Sequence, residues 1–198
     1  MSSPQTLSEE ERRIVAFWGA DCAERVLGLF EAEAPDRTGP RDAIARARAF
    51  ARGELATARA IRLRFAGGSS ARDVSPPAAA AARAAGQAAS IAHMGAHALG
   101  AAAYAAKAAG LAAPDPSKAI REEIRWQLRH MSAATKAALR KLPPVGESTS
   151  GPLGPGLLAF GLLGAIIREI QASLADPRHS LREEWPTDGR ERTRPRKR

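Results

Sequence analysis

The chain has 198 residues, enough for one domain with a real core and too few for two large ones. Its 45 alanines favour closely packed helices, and an aromatic content of only 5% without alternating β-branched runs excludes a sheet. The single cysteine, Cys22, excludes an internal disulfide, and residues 190–198 hold six of the cations behind the net charge of +9. We therefore predict an all-α, single-domain bundle of about five to six helices with a disordered basic C-terminal tail.

Caps, prolines and glycines divide the chain into predicted helices. Ser8 and the three glutamates after it form a capping box that opens the first helix, which is expected to reach about Ala34. The longest predicted helix, over about 76–110, is continuous only if none of its glycines breaks it. The further helices are predicted over about 41–66, 76–110, from 115–117 onward, 132–142 and 157–175.

The predicted elements fall into one folded region and a tail, because a stretch rich in proline and glycine separates the last helix from the others. The last helix is expected to pack on the bundle, and disorder is expected in the tail, in particular beyond about Pro186. The predicted parts are a helical domain over 7–142, a Gly/Pro-rich loop over 143–156, an additional helix over 157–175 and a polar, basic tail over 176–198.

The stretch "IAHMGAHALGAAAYAAKAAG" sets His93 and His97 four residues apart on a predicted helix. On a helical wheel they share a polar stripe with Ser90 and Tyr104. Two histidines at this spacing can provide half of a zinc site, but such a site needs further ligands, and Met94 stands where the catalytic form carries a glutamate. A hydrogen-bonded polar cluster or functional surface is favoured, with no metal or cofactor. A metal-binding protein or enzyme that uses both histidines is the alternative.

The first helix contains "AFWGADCAERVLGLFE", in which Trp18, Cys22 and Arg25 share one face. Asp21 precedes Arg25 by four residues, a spacing that favours an ion pair on a helix surface. A core stripe with a flanking ion pair explains this pattern, and a binding surface is the functional interpretation. Cys22 has no base or electropositive setting nearby in the sequence, so we predict no catalytic residue.

The second predicted helix carries Arg41, Arg48, Arg52 and Arg59 on one side. Such a stripe is typical of a solvated face, although it can also meet an acidic partner or a phosphate backbone. No aromatic residues interleave with the arginines, which disfavours single-strand binding. A nucleic-acid-associated protein that uses this stripe and the basic tail is a further alternative, and the tail alone predicts only non-specific attraction.

Four ordered blocks, "FWGADCAERVLGLFE", "PRDAIARARAFARGEL", "AHMGAHALGAAAYAAKAAG" and "EIRWQLRHM", resemble the Imm-5-like family of immunity proteins. The resemblance covers about residues 7–142. It implies an all-helical bacterial protein without catalytic residues that protects its cell by binding a toxin of a polymorphic toxin system.

We accordingly expect a non-catalytic cytoplasmic protein that binds and neutralises a cognate toxin. A lone cysteine and the lack of a charged-then-apolar leader are typical of the cytosol. The longest apolar segment, 157–167, is well short of the roughly 20 residues that span a bilayer. The net charge predicts an acidic or neutral toxin surface. The candidate binding residues are Trp18, Asp21, Arg25, Arg48, Arg52, Arg59, His93, His97 and Tyr104.

Overall fold

A computed structural model of the chain describes residues 3–64 and 71–186, and these ranges are all-helical. The all-α class is confirmed, but eight α-helices are present within the described ranges rather than five or six, because two of the predicted helices are each divided in two. The helices are α1 (Glu9–Glu31), α2 (Gly39–Ala51), α3 (Thr57–Leu63), α4 (Pro76–Ser90), α5 (His97–Ala112), α6 (Pro116–Arg129), α7 (Ala133–Leu139) and α8 (Gly161–Ala175), with a short 3-10 helix at Leu157–Ala159.

The bundle is built around the alanine-rich helix α5, which packs against α1, α4, α6 and α8. Ten of the 15 residues of α4 and 11 of the 16 residues of α5 are buried, so most of each helix is enclosed by its neighbours. Alanine side chains are short, and helices that carry them can approach closely. The first helix begins as predicted, since Ser8 Oγ accepts from the amide of Glu11 (3.2 Å) and the Glu11 carboxylate accepts from the amide of Ser8 (2.9 Å).

The predicted long third helix is interrupted at residues 91–96 by the N-terminal segment of the chain. The amides of Gly95 and Ala96 donate to the carbonyls of Thr6 and Gln5, both at 3.0 Å. The side chain of Gln5 is itself buried and donates to the carbonyl of Ser150 (2.7 Å). Residues 3–7 therefore tie the corner between α4 and α5 to the loop 143–156.

The predicted second helix is divided at residues 52–56, where Gly53 adopts a positive φ of 81°. A left-handed residue cannot continue an α-helix, and glycine adopts this conformation without steric cost. The helix α3 ends at Leu63, and the expected end near residue 66 lies outside the described residues.

After α8 the chain turns back onto the bundle. The buried carboxylate of Glu169 accepts hydrogen bonds from His179 Nε2 (2.9 Å) and Arg182 Nε (3.0 Å), and Trp185 is buried. Residues 176–186 thus pack against α8, whereas residues 187–198 of the predicted disordered tail lie outside the described part of the chain. Within the described ranges, no helix combines the length and the apolar character needed to cross a bilayer.

Candidate protein-binding surface

An ordered stack of three side chains lies on the surface between α1 and α6. The guanidinium carbon of Arg25 lies 4.0 Å from the ring centroid of Trp126, within the range of a cation–π contact. The ring of Trp126 also stacks on that of His130, with centroids 3.9 Å apart and planes 20° apart. We call Arg25, Trp126 and His130 the aromatic stack. Trp126 is half-buried and the other two residues are exposed, so the stack is accessible to a partner.

Buried polar groups hold the aromatic stack in place. Arg25 Nε donates to both carboxylate oxygens of Glu123 (2.9 and 3.2 Å), and the Glu123 side chain is only 5% exposed. Gln127 Nε2 donates to the same carboxylate and to the carbonyl of Ala102, both at 3.1 Å. Because a buried carboxylate needs such donors, this network fixes the position of Arg25.

Trp18 lies beneath this surface rather than on it, with only 2% of its area exposed. Its indole Nε1 donates to the backbone carbonyl of Gln127 (3.0 Å). This carbonyl is in the last turn of α6, where helical carbonyls lose their usual partners. Trp18 therefore joins α1 to the end of α6 and supports the aromatic stack from below.

Charged residues of α1 and α2 continue the surface. Arg48 Nη2 contacts Asp21 Oδ1 (2.7 Å) and Glu24 Oε2 (2.6 Å). Burial raises the pKa of the Asp21 carboxyl, although the Arg48 guanidinium acts in the opposite direction. Phe17, one turn before Asp21 on the same helix face, is 43% exposed. The predicted ion pair between Asp21 and Arg25 is not the one that forms, since each side chain binds a closer group on another helix.

The arginine stripe predicted for one helix extends over two helices and is largely paired. Arg41, Arg48 and Arg52 each have a carboxylate oxygen within 2.7 Å. Arg59 is exposed on α3. Pairing neutralises most of the positive potential that would attract a polyanion, even though such exposed pairs add little stability.

The predicted histidine stripe lines a different feature, a cleft of about 430 Å³ between the α4–α5 corner and residues 151–158. His93 is exposed, His97 is half-buried and Tyr104 is buried. His97 Nδ1 lies 2.8 Å from Gln87 Oε1, and because an amide oxygen only accepts, Nδ1 is the donor. Burial, together with the nearby His93 and Arg64, lowers the pKa of His97 to about 4. His97 is therefore neutral at physiological pH.

The structure thus brings together Asp21, Arg25 and Arg48, and it keeps the histidine cleft apart from them, because no residue of α1 or α6 lines that cleft. Across residues 3–64 and 71–186, no three histidine, cysteine, aspartate or glutamate side chains group closely enough to hold a metal ion. Cys22 is fully buried, and burial raises the pKa of its thiol well above the usual value.

Sequence reasoning missed the aromatic groups that define the surface, the exposed Phe17 and the half-buried Trp126, and the partner His130. Part of this information was visible, because Trp126 and His130 are four residues apart in "EIRWQLRHM" and must share a helix face. The approach of Arg25 from a helix about one hundred residues earlier in the chain leaves no local signal.

Taken with the bundle, this surface makes the chain a helical scaffold with a preformed aromatic and charged surface, which is the candidate binding site. The model of one protein family, described as Imm-5 like putative immunity protein, matches residues 5–134, and the chain belongs to this family. The resemblance drawn from the four sequence blocks is thereby confirmed. The match contains α1 to α6 and the whole aromatic stack, and it ends before the loop 143–156. No curated protein and no solved structure matches the chain.

Proposed function

We propose that this protein is a non-catalytic immunity protein that binds a toxin of a bacterial polymorphic toxin system in the cytoplasm and neutralises it. The observation that carries the proposal is the aromatic stack of Arg25, Trp126 and His130, which lies on the surface within the region that matches the family. Tryptophan and arginine are the residue types that most often dominate the binding energy of protein interfaces.

The geometry of the stack suits it to tight binding. An exposed arginine or tryptophan normally loses side-chain freedom when a partner immobilises it, and this loss weakens binding. Here Arg25 is already held by Glu123, and Trp126 already contacts both Arg25 and His130. The side chains therefore have little freedom left to lose, and most of the contact energy contributes to affinity.

The surroundings of the stack provide the other components of an interface. Phe17 offers an apolar side chain that is 43% exposed, and the ion-paired group of Asp21, Glu24 and Arg48 forms a charged rim. Charged rims orient partners and increase association rates more than they add affinity. We propose that a toxin is neutralised when this surface covers its active site or blocks a movement that its activity requires.

Co-expression with a candidate toxin encoded beside the gene tests the proposal. The wild-type protein is expected to restore growth, and the double variant Phe17→Ala/Trp126→Ala is expected to fail. Phe160→Ala is the matched control, because Phe160 is 66% exposed and lies outside the region that matches the family. Equal protection by the double variant and the control, at equal protein levels, would rule out this surface. Failure of the wild type to protect would rule out the function.

A further inference from the structure

A second surface lies on the side of α6 that faces away from the bundle. A groove of about 1280 Å³ runs between α6, α7 and residues 177–184. It shares none of Phe17, Arg25, Trp126 and His130 with the surface described above. Lys118, Arg125 and Arg129 are spaced by seven and four residues, so they lie on one face of α6 and follow the groove. The lining cations are Lys118, Arg121, Arg125, Arg129, Lys136 and Arg140.

Most of these cations form no ion pair, in contrast to Arg41 and Arg48 of α2. In the part of the chain that the structure describes, Lys118, Arg125, Arg129 and Lys136 form no ion pair with a carboxylate. Six cations and four carboxylates line the groove, so the cations remain in excess by two and the groove keeps a positive potential that attracts anions.

The other two cations, Arg121 and Arg140, form hydrogen bonds that link the elements on either side of the groove. Arg121 donates to the backbone carbonyl of Glu183, and Arg140 Nε donates to the carbonyl of Leu174 (2.7 Å). The first bond connects α6 to the segment that follows α8, and the second connects the end of α7 to the last turn of α8. The groove is therefore formed by the folded chain before any partner arrives, which lowers the entropic cost of binding.

We propose that this groove binds an acidic polypeptide segment of a partner protein. Its volume exceeds the 300–1,000 Å³ that is typical of small-molecule pockets. The half-buried side chains of Leu128 and Leu181 lie among the cations and can receive apolar side chains of the segment, while its carboxylates pair with the unpaired cations. An apolar centre within a charged rim is the usual composition of a protein interface.

The composition of the groove favours a polypeptide over a nucleic acid. Asp115, Glu122, Glu183 and Glu184 also line it. A phosphate backbone carries a negative charge at every nucleotide, so some phosphates would face these carboxylates, whereas a polypeptide can place its charges selectively. In addition, no phenylalanine, tyrosine or tryptophan is among the lining residues, and single-stranded nucleic acids depend on such residues for base stacking.

Binding of the full-length protein to a labelled glutamate-rich peptide with interspersed leucines tests the proposal. The groove variant is Arg125→Gln/Arg129→Gln/Lys136→Gln. The matched control is Arg62→Gln/Arg72→Gln/Arg83→Gln, which removes the same charge from exposed positions outside the groove. Both variants keep residues 187–198, so any attraction from the basic tail is equal.

The groove variant is expected to bind the peptide about 3- to 100-fold more weakly than the control, which is the combined effect of three exposed ion pairs. Equal affinities of the two variants, or no binding by the wild type at low salt, would overturn the proposal. So would tighter binding of a single-stranded RNA of equal charge that depends on the same three cations, because the groove would then serve a nucleic acid.

Discussion

Replacement of Trp18 by phenylalanine tests whether Trp18 stabilises the fold beneath the aromatic stack rather than binding a partner itself. The change removes the hydrogen bond from Trp18 Nε1 to the buried carbonyl of Gln127 (3.0 Å). A buried acceptor left without its donor costs about 1–3 kcal/mol. The smaller ring also leaves a cavity, which adds about 1 kcal/mol. We expect the free energy of unfolding to fall by about 2–4 kcal/mol, and the melting temperature of a chain of this size to fall by about 4–16 °C.

Urea unfolding followed by far-UV circular dichroism measures this loss. Tryptophan fluorescence is unsuitable, because the substitution removes one of only three tryptophans. Trp126→Phe is the matched control and should change the free energy of unfolding by less than about 1 kcal/mol, since its ring is half-exposed and donates no structural hydrogen bond among the described residues. If Trp18→Phe stayed within about 0.5 kcal/mol of the wild type, the supporting role of Trp18 would be refuted.

Three further substitutions, each at a buried or closely packed position, have predicted effects on stability. The pKa of His97 in the folded protein, about 4, lies below its pKa in the unfolded chain. As the pH falls from about 6.5 to about 4, the unfolded chain binds this proton before the folded protein does, so the free energy of unfolding falls by up to about 3 kcal/mol. His97→Gln should remove this part of the pH dependence. A methyl group on Gly164 would overlap the backbone of Ala159, so Gly164→Ala should lower the free energy of unfolding by about 1–2 kcal/mol despite better helix propensity. Gln5→Ala leaves the buried amide of Leu153 without its acceptor and should cost about 1–3 kcal/mol. Urea unfolding checks each value, and unchanged stability would contradict the corresponding contact.

Local signals in the sequence predict the helical class and many helix ends. The capping box at Ser8 starts α1, and the side chains of Asp115 and Ser132 cap α6 and α7. These signals act within a few residues, so a single sequence reveals them. The interruption between α4 and α5 is different, because its amides bond to Thr6 and Gln5, about ninety residues earlier in the chain.

The candidate site was harder to predict than the fold for the same physical reason. A helical wheel shows which cations share a face, but it does not show which carboxylates a neighbouring helix brings to them. Arg48 is paired with groups on α1, whereas Arg125 and Arg129 on α6 have no carboxylate partner in the described ranges. The basic surface therefore lies on α6 and not on the helix that looked more basic.

Aromatic residues show the same dependence on tertiary structure. The sequence allows the helix face of Trp18 to belong to either the core or a binding surface, and the structure shows that Trp18 is buried against the end of α6. Trp126 stands among charged and polar residues in "EEIRWQLRH", and it remains half-exposed at the surface, where it contacts Arg25. Burial thus assigns the two tryptophans different roles.

The affinity of purified Trp126→Ala for the cognate toxin tests the central claim most directly. Isothermal titration calorimetry should compare this variant with the wild type and with Phe160→Ala, at a temperature at which all three are folded. A residue at the centre of an interface contributes at least about 2 kcal/mol, which corresponds to roughly a 30-fold loss of affinity for Trp126→Ala, with no change for Phe160→Ala. If Trp126→Ala instead bound the toxin within about twofold of the wild type, the aromatic stack would not be the site of toxin binding.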